Sequence, residues 1–255
     1  MWCACPLSMS KREETMLMKD FVNTVPGSNQ LKEKDYLNFM FHVKASKKVL
    51  IVGNSITRHA SKADIGWHGD WGMAASCADN DYVHILHRKL TEHFGAVSIC
   101  VAQAGAWEMS EHAKKEEKLI ECYKPAAQFE ADILIIRIGE NVDMSKTSIS
   151  ELAEDFGQMI RFFGGARECS KVIVTGQFWE SPEREEAVML AARRHGYYFV
   201  PLSDLGMNEK MTAMGLFEHA GVAGHPGDLG MHCIAQRIMN KIKEIYTESE
   251  SSLSE

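Results

Sequence analysis

The sequence predicts an α/β fold: a three-layer α/β/α sandwich around a five-stranded, mostly parallel sheet. Two observations carry this expectation. Short apolar runs alternate with longer segments whose apolar residues recur at helical spacing, the pattern of consecutive βαβ units. One run, ADILIIRIG at 131–139, is almost continuously apolar, as a parallel strand buried on both faces should be. The chain of 255 residues, 45% apolar and 25% charged, is long enough to bury one such core without staples.

The elements follow in order. KKVLIVG gives a first strand ending at Gly53, and DYVHILHRKLTEHF a helix from Asp81 to Phe94. AVSICVA, 96–102, is the second strand, followed by a charged helix near 109–122. After the third strand comes a helix from Ser148 to Phe163, with Ser150 and Glu151 at its start. KVIVTGQFW, 171–179, is the fourth strand. Ser181-Pro182-Glu183-Arg184-Glu185 then opens a helix with a capping serine, a proline in the first turn and acids near the positive end. That helix runs to His195, where Gly196 stops it. The fifth strand is YYFVPL, 197–202, and the last helix spans Asp228 to Tyr246. Three regions result: a leader at 1–45, with helical spacing over Leu31 to Val43; the α/β domain at 46–247; and an acidic, serine-rich tail at 248–255, expected to be disordered.

Charge and composition limit the partners. A net charge of -7 disfavours nucleic-acid binding through phosphate neutralisation. No run reaches the roughly 18 apolar residues of a membrane span, and the N-terminus lacks the pattern of a secretory signal. The seven cysteines are scattered and odd in number, which reads as free thiols in a reducing, cytoplasmic setting. No P-loop or GxGxxG motif is present, so no nucleotide cofactor is expected. His84 with His87, or His225 with His232, are weak metal pairs, and no metal is expected.

In a parallel sheet, sites form beyond the carboxyl ends of the strands. The first strand runs out into Gly53-Asn54-Ser55-Ile56-Thr57. Ser55 there is a candidate nucleophile whose own N–H can face a developing oxyanion, although the segment alone favours a capping role for Asn54 and Ser55. The second strand leads to Gly105, and the third to Gly139-Glu140-Asn141, whose asparagine amide can also donate to an oxyanion. Just before the last helix, His225 lies between Gly224 and Pro226 and is a candidate general base.

Taken in chain order, these residues resemble the SGNH (GDSL-like) hydrolases. Gly53-Asn54-Ser55 is a variant of that family's Gly-Asp-Ser block, Gly105 stands for its glycine block, Gly139-Glu140-Asn141 matches Gly-x-Asn, and His225-Pro226 matches part of Asp-x-x-His-Pro. The resemblance implies a flavodoxin-like SGNH hydrolase fold and a serine esterase or deacylase. Ser55 would be the nucleophile and His225 its base, with Ser55, Gly105 and Asn141 as the oxyanion hole. The family's acid position is occupied by Val222. A backbone carbonyl could orient His225 instead, giving a dyad, or Glu218, Asp228 or Glu180 could substitute. Asp228 fits better as the cap of the last helix.

The substrate expectation is an acetyl or similar short-chain ester, on a small molecule or an oligosaccharide. It rests on Trp67, Trp71, Trp107 and Trp179, which fall at predicted strand ends or in the glycine-rich loop after Ser55 and could stack on sugar rings. Core packing is the competing reading of each ring. Two other functions are compatible with the sequence: a catalytically degenerate glycan-binding member of the fold, and an acyl thioesterase.

Overall fold

The computed structural model describes residues 36–164 and 170–251. Its centre is a six-stranded sheet: β1 Leu37–Met40, β2 Lys47–Gly53, β3 Val97–Gln103, β4 Ile133–Arg137, β5 Lys171–Thr175 and β6 Tyr198–Val200. The order across the sheet is β1-β3-β2-β4-β5-β6. All pairs are parallel except β1 with β3, which are antiparallel.

The helices are α1 Tyr82–Phe94, the single-turn α2 Gly105–Glu108, α3 Lys115–Ala127, α4 Ile149–Phe162, α5 Pro182–His195, the short α6 Ser203–Gly206 and α7 Ala220–Ala223, and α8 Asp228–Ser251. Alternation along the strands sends side chains to two cores. Leu50, Val52, Cys100, Ala102, Leu134 and Ile136 pack beneath α3, α4 and α5. Val49, Ile51, Ile99, Val101, Ile133 and Ile135 face α1 and α8. These two covered faces make the expected three layers.

The structure corrects the expectation at several places. The sheet has a sixth strand, because residues 37–40, within the leader's stretch of helical spacing, pair with β3 along Leu37↔Ala102 to Met40↔Ile99. The apolar residues here are compatible with either period, and the open backbone edge of β3 decides between them. Residues 31–35 lie outside the described residues. The charged helix expected near 109–122 starts later and runs further: a 3-10 turn at His112–Lys114 leads into α3, Lys115–Ala127, while α2 forms just before the expected segment. The last helix continues through 248–251, within the tail expected to be disordered, since Thr247 to Ser251 contain neither glycine nor proline to stop it. Residues 252–255 lie outside the described residues.

Two helix starts also differ in detail. Ser148, not Ser150, caps α4 in a reciprocal box with Glu151. Ser181 stands at the start of α5 but makes no side-chain cap bond, and its hydroxyl accepts from Arg184 at 3.0 Å. Among the described residues, no helix is long and apolar enough to cross a membrane.

The strand order locates the site. From β2 the chain passes to β3 on one side and later to β4 on the other, opening a crevice between the carboxyl ends of β2 and β4. The segments 138–139 and 176–179, expected as strand, instead leave the sheet and form loops at that crevice.

Candidate active site

Glycine is required at the end of β2. A Cβ at Gly53 would lie 1.8 Å from Thr57 Oγ1 and 3.0 Å from the Arg137 carbonyl. The chain then turns sharply: Thr57 and Arg58 both donate their N–H to Asn54 O at 3.0 Å, and Ile56 N–H donates to Asn54 Oδ1 at 3.2 Å. Asn54 therefore caps the turn, and Ser55 occupies its first position.

Ser55 Oγ lies 2.8 Å from His225 Nε2. On the other side of the ring, Nδ1 is 2.6 Å from the carbonyl oxygen of Gly221. A carbonyl only accepts, so Nδ1 carries the proton and Nε2 presents its lone pair to the serine hydroxyl. None of Glu218, Asp228 and Glu180 is the Nδ1 partner. The Asp228 carboxylate takes Ser76 N–H at 2.8 Å, Ser76 O–H at 2.7 Å and Asn80 Nδ2 at 3.0 Å, pinning the loop before α1 to the start of α8. Burial pushes the His225 pKa down to about 4, and the nearby Arg137 adds to this against the opposing Gly221 bond.

Ser55 and His225 open onto a cleft of about 300 Å³, which Gly105 and Asn141 also line. Ile65, Met73, Met109 and Val222 form its apolar walls. Gly105 N–H donates to Gln103 Oε1 at 3.3 Å, a long bond.

No family model matches the sequence, nor does any curated protein. Solved structures do match. The psychrotrophic esterase EstA from Pseudoalteromonas sp. is 11% identical, with a TM-score of 0.53 over 79% of this chain and 100% of its own. A GDSL-like lipase from Parabacteroides merdae is 16% identical, with a TM-score of 0.52 over 78% of this chain and 96% of its own. A family two carbohydrate esterase from Cellvibrio japonicus is 12% identical, with a TM-score of 0.52 over 80% of this chain and 62% of its own. The fold is that of the SGNH hydrolases.

Within the SGNH fold, the residues around the crevice form a buried polar network that sequence reading missed. Arg137, at the end of β4, is 0% exposed, and Glu108 only 2%. The Arg137 guanidinium binds the Glu140 carboxylate and donates to Asn54 Oδ1 at 3.0 Å. Glu140 also accepts from Asn54 Nδ2 at 2.6 Å and Phe178 N–H at 3.0 Å. Glu108 takes donors from the same loops, including Asn141 Nδ2 at 2.6 Å. Burial first, and then the negative Glu140, push the Glu108 pKa upward. Arg137 had a visible signal, a charge inside an apolar strand that demands a partner. Glu108, in a charged stretch, had none.

The four tryptophans do not line the cleft as the sequence suggested. Trp107 is fully buried against Phe156 in the core under α3 to α5. Trp67 is buried edge-on to Trp71 at 5.6 Å, in a small apolar cluster with Met73, Ala213 and Val222. Trp71 donates its indole N–H to Ala75 O at 2.9 Å. Trp179 packs beside His225: its N–H donates to Gly224 O at 3.0 Å, and its ring meets that of His225 at 5.2 Å, nearly perpendicular. The glycine-rich loop folds in on its own rings because burying them gains more than exposing them. Of the weak metal pairs, His84 is engaged by Asp81 at 2.8 Å and His87 by Val97 O at 3.2 Å.

Proposed function

We propose that this protein is a serine esterase that cleaves short-chain acyl esters through an acyl-enzyme on Ser55. The observation that carries the reading is the aligned chain from Ser55 Oγ through the His225 ring to the Gly221 carbonyl, at the floor of an apolar-walled cleft. As Ser55 Oγ attacks the ester carbonyl, its proton passes to His225 Nε2. The Gly221 carbonyl holds the ring in the required tautomer and faces the positive charge that develops. The tetrahedral oxyanion is stabilised by the Ser55 and Gly105 N–H groups and the Asn141 amide. Collapse expels the alcohol, which takes the proton from His225. Water, activated by the same base, then releases the acid and restores Ser55.

The apolar wall of Ile65, Met73 and Val222 suits a short acyl group such as acetyl. His59, Gln103, Asn141 and His219 on the cleft wall suit a hydroxylated leaving alcohol such as a sugar. The carbohydrate part of the reading rests on these groups, since the tryptophans lie elsewhere.

A fluorophosphonate probe tests the assignment. Stoichiometric labelling that maps to Ser55, together with faster turnover of 4-nitrophenyl acetate than of an acetyl thioester, is expected. An unlabelled protein, or a label on another serine, would sink the esterase reading and favour a degenerate binding protein; preference for the thioester would make it a thioesterase.

The base also predicts the pH profile. His225 must be neutral to act, and its pKa is lowered to about 4 from the ordinary value near 6.5. The neutral form is therefore retained on acidification past pH 6.5 and lost only as pH falls towards about 4. The kcat/KM for 4-nitrophenyl acetate should stay flat from neutral pH down past 6. An acid limb centred at 6.5 would contradict the burial of the ring.

A further inference from the structure

The catalytic pair leaves a buried carboxylate unexplained. Glu108, at the end of α2, collects donors from the two loops that flank the crevice. Its Oε1 accepts from Asn54 Nδ2 at 3.1 Å, Gly139 N–H at 2.6 Å and Asn141 N–H at 3.2 Å. Its Oε2 accepts from Asn141 Nδ2 at 2.6 Å. Asn54 adjoins the nucleophile, and Asn141 lines the cleft.

Every group facing Glu108 in this set is a donor, and these bonds favour the ionised carboxylate against the upward push of burial and Glu140. The bond from Asn141 Nδ2 has a particular consequence. A carboxamide has a donor end and an acceptor end of nearly the same shape, and rotating it by half a turn exchanges them. Only a fixed acceptor beside it determines which end is nitrogen. With Glu108 Oε2 in place, Asn141 keeps its nitrogen where one N–H binds the carboxylate and the second remains to serve the site.

We propose that Glu108 is a positioning residue for the ester reaction: its carboxylate fixes the amide polarity of Asn141, so that the asparagine donates to the oxyanion rather than turning its carbonyl towards it. The proposal rests on the esterase reading above. It assigns Glu108 no contact with substrate and no proton transfer.

Glu108→Gln is the informative substitution. It keeps the shape and one acceptor, but an NH2 in the place of Oε2 would face the Asn141 NH2, and the asparagine amide would flip to relieve the clash. Losing one oxyanion donor typically lowers kcat by about 10²–10³-fold. The experiment is a double-mutant cycle on 4-nitrophenyl acetate with wild type, Glu108→Gln, Asn141→Ala and the double variant. Glu108→Gln is expected to lower kcat by about that factor, with KM changed by less than about threefold. In the Asn141→Ala background it should cost nothing further, because the amide it positions is gone. Losses that multiply, an effect on KM alone, or an unchanged kcat would overturn the proposal.

Should Glu108→Gln fail to fold, Glu108→Asp replaces it. That variant keeps the charge but draws the carboxylate back from Asn141, and the same non-additivity is expected, with multiplying losses again overturning the role. The two failures are separable. A wild type that turns over ester and is labelled at Ser55, yet gives an additive cycle, refutes only the role of Glu108. A wild type that does neither refutes the esterase reading itself.

Discussion

Ser55→Ala is expected to lower kcat for 4-nitrophenyl acetate by at least about 10³-fold, the scale set by removing a nucleophile from a working serine–histidine site. The substitution deletes one hydroxyl and leaves His225 bonded to Gly221 O, so the proposed base and oxyanion donors stay where they are. What survives is attack by water on an oriented ester, which is slow because no acyl-enzyme forms. The cost in stability should be small. Ser55 contributes the bond to His225 Nε2, and a neutral hydrogen bond of this kind is worth about 1 kcal/mol, or about 2–4 °C in a chain of this size. Steady-state kinetics and a thermal melt of the same preparation check both halves. A variant that keeps more than a tenth of the wild-type rate would mean that some other group, such as a surface lysine, attacks the activated ester.

Arg137→Leu should be the most damaging substitution for stability. The guanidinium is wholly buried at the end of β4 and is the cation bound to Glu140, whose side chain is 3% exposed. Removing it leaves the Glu140 carboxylate without its counter-charge, close to the carboxylate of Glu108, since Asn54 Nδ2 bridges the two. Breaking a buried pair on one side costs about 3–5 kcal/mol, because the partner's desolvation is no longer offset. For a domain of this length that is a fall in Tm on the order of 10 °C. A second change, Glu140→Met in the Arg137→Leu background, should recover part of the loss, since replacing both charges by apolar groups removes the stranded ion. A melt within 2 °C of wild type for Arg137→Leu alone, roughly the effect of a neutral surface change, would show that the pair is not a net support.

How far the sequence could be read depended on which groups carry the signal. The strands β2 to β5 were legible because each is a short run of residues that must be buried on both faces. β1 was not, because four residues, Leu37 to Met40, are too few to separate a period of 2 from one of 3.6, and its pairing depends on a remote edge. Ser55, Gly105 and Asn141 were legible from their places after strands, and His225 from the loop before the last helix; the structure brings all four to one cleft. The tryptophans misled because position in a loop does not say whether the loop closes on itself, as the one carrying Trp67 and Trp71 does. Glu108 was silent because nothing local to Trp107-Glu108-Met109 distinguishes it from the solvated acids that follow. Its partners lie 31 to 54 residues away along the chain.

The Gly221 carbonyl has a consequence for inheritance. An aspartate that orients a histidine is a codon, and one base change can erase it. A main-chain oxygen belongs to every amino acid, so no substitution at position 221 deletes the acceptor. A mutation can only displace it by reshaping the turn, as a Cβ at Gly221 would by approaching His219 to 2.9 Å. The neighbouring position is released in exchange: Val222, where the acid would stand, contributes to the apolar cluster around Trp67 and to the cleft wall. The constraint on this part of the site thus falls on the path of residues 219–225 and leaves no diagnostic letter. Two chains that share the device need share no residue for it.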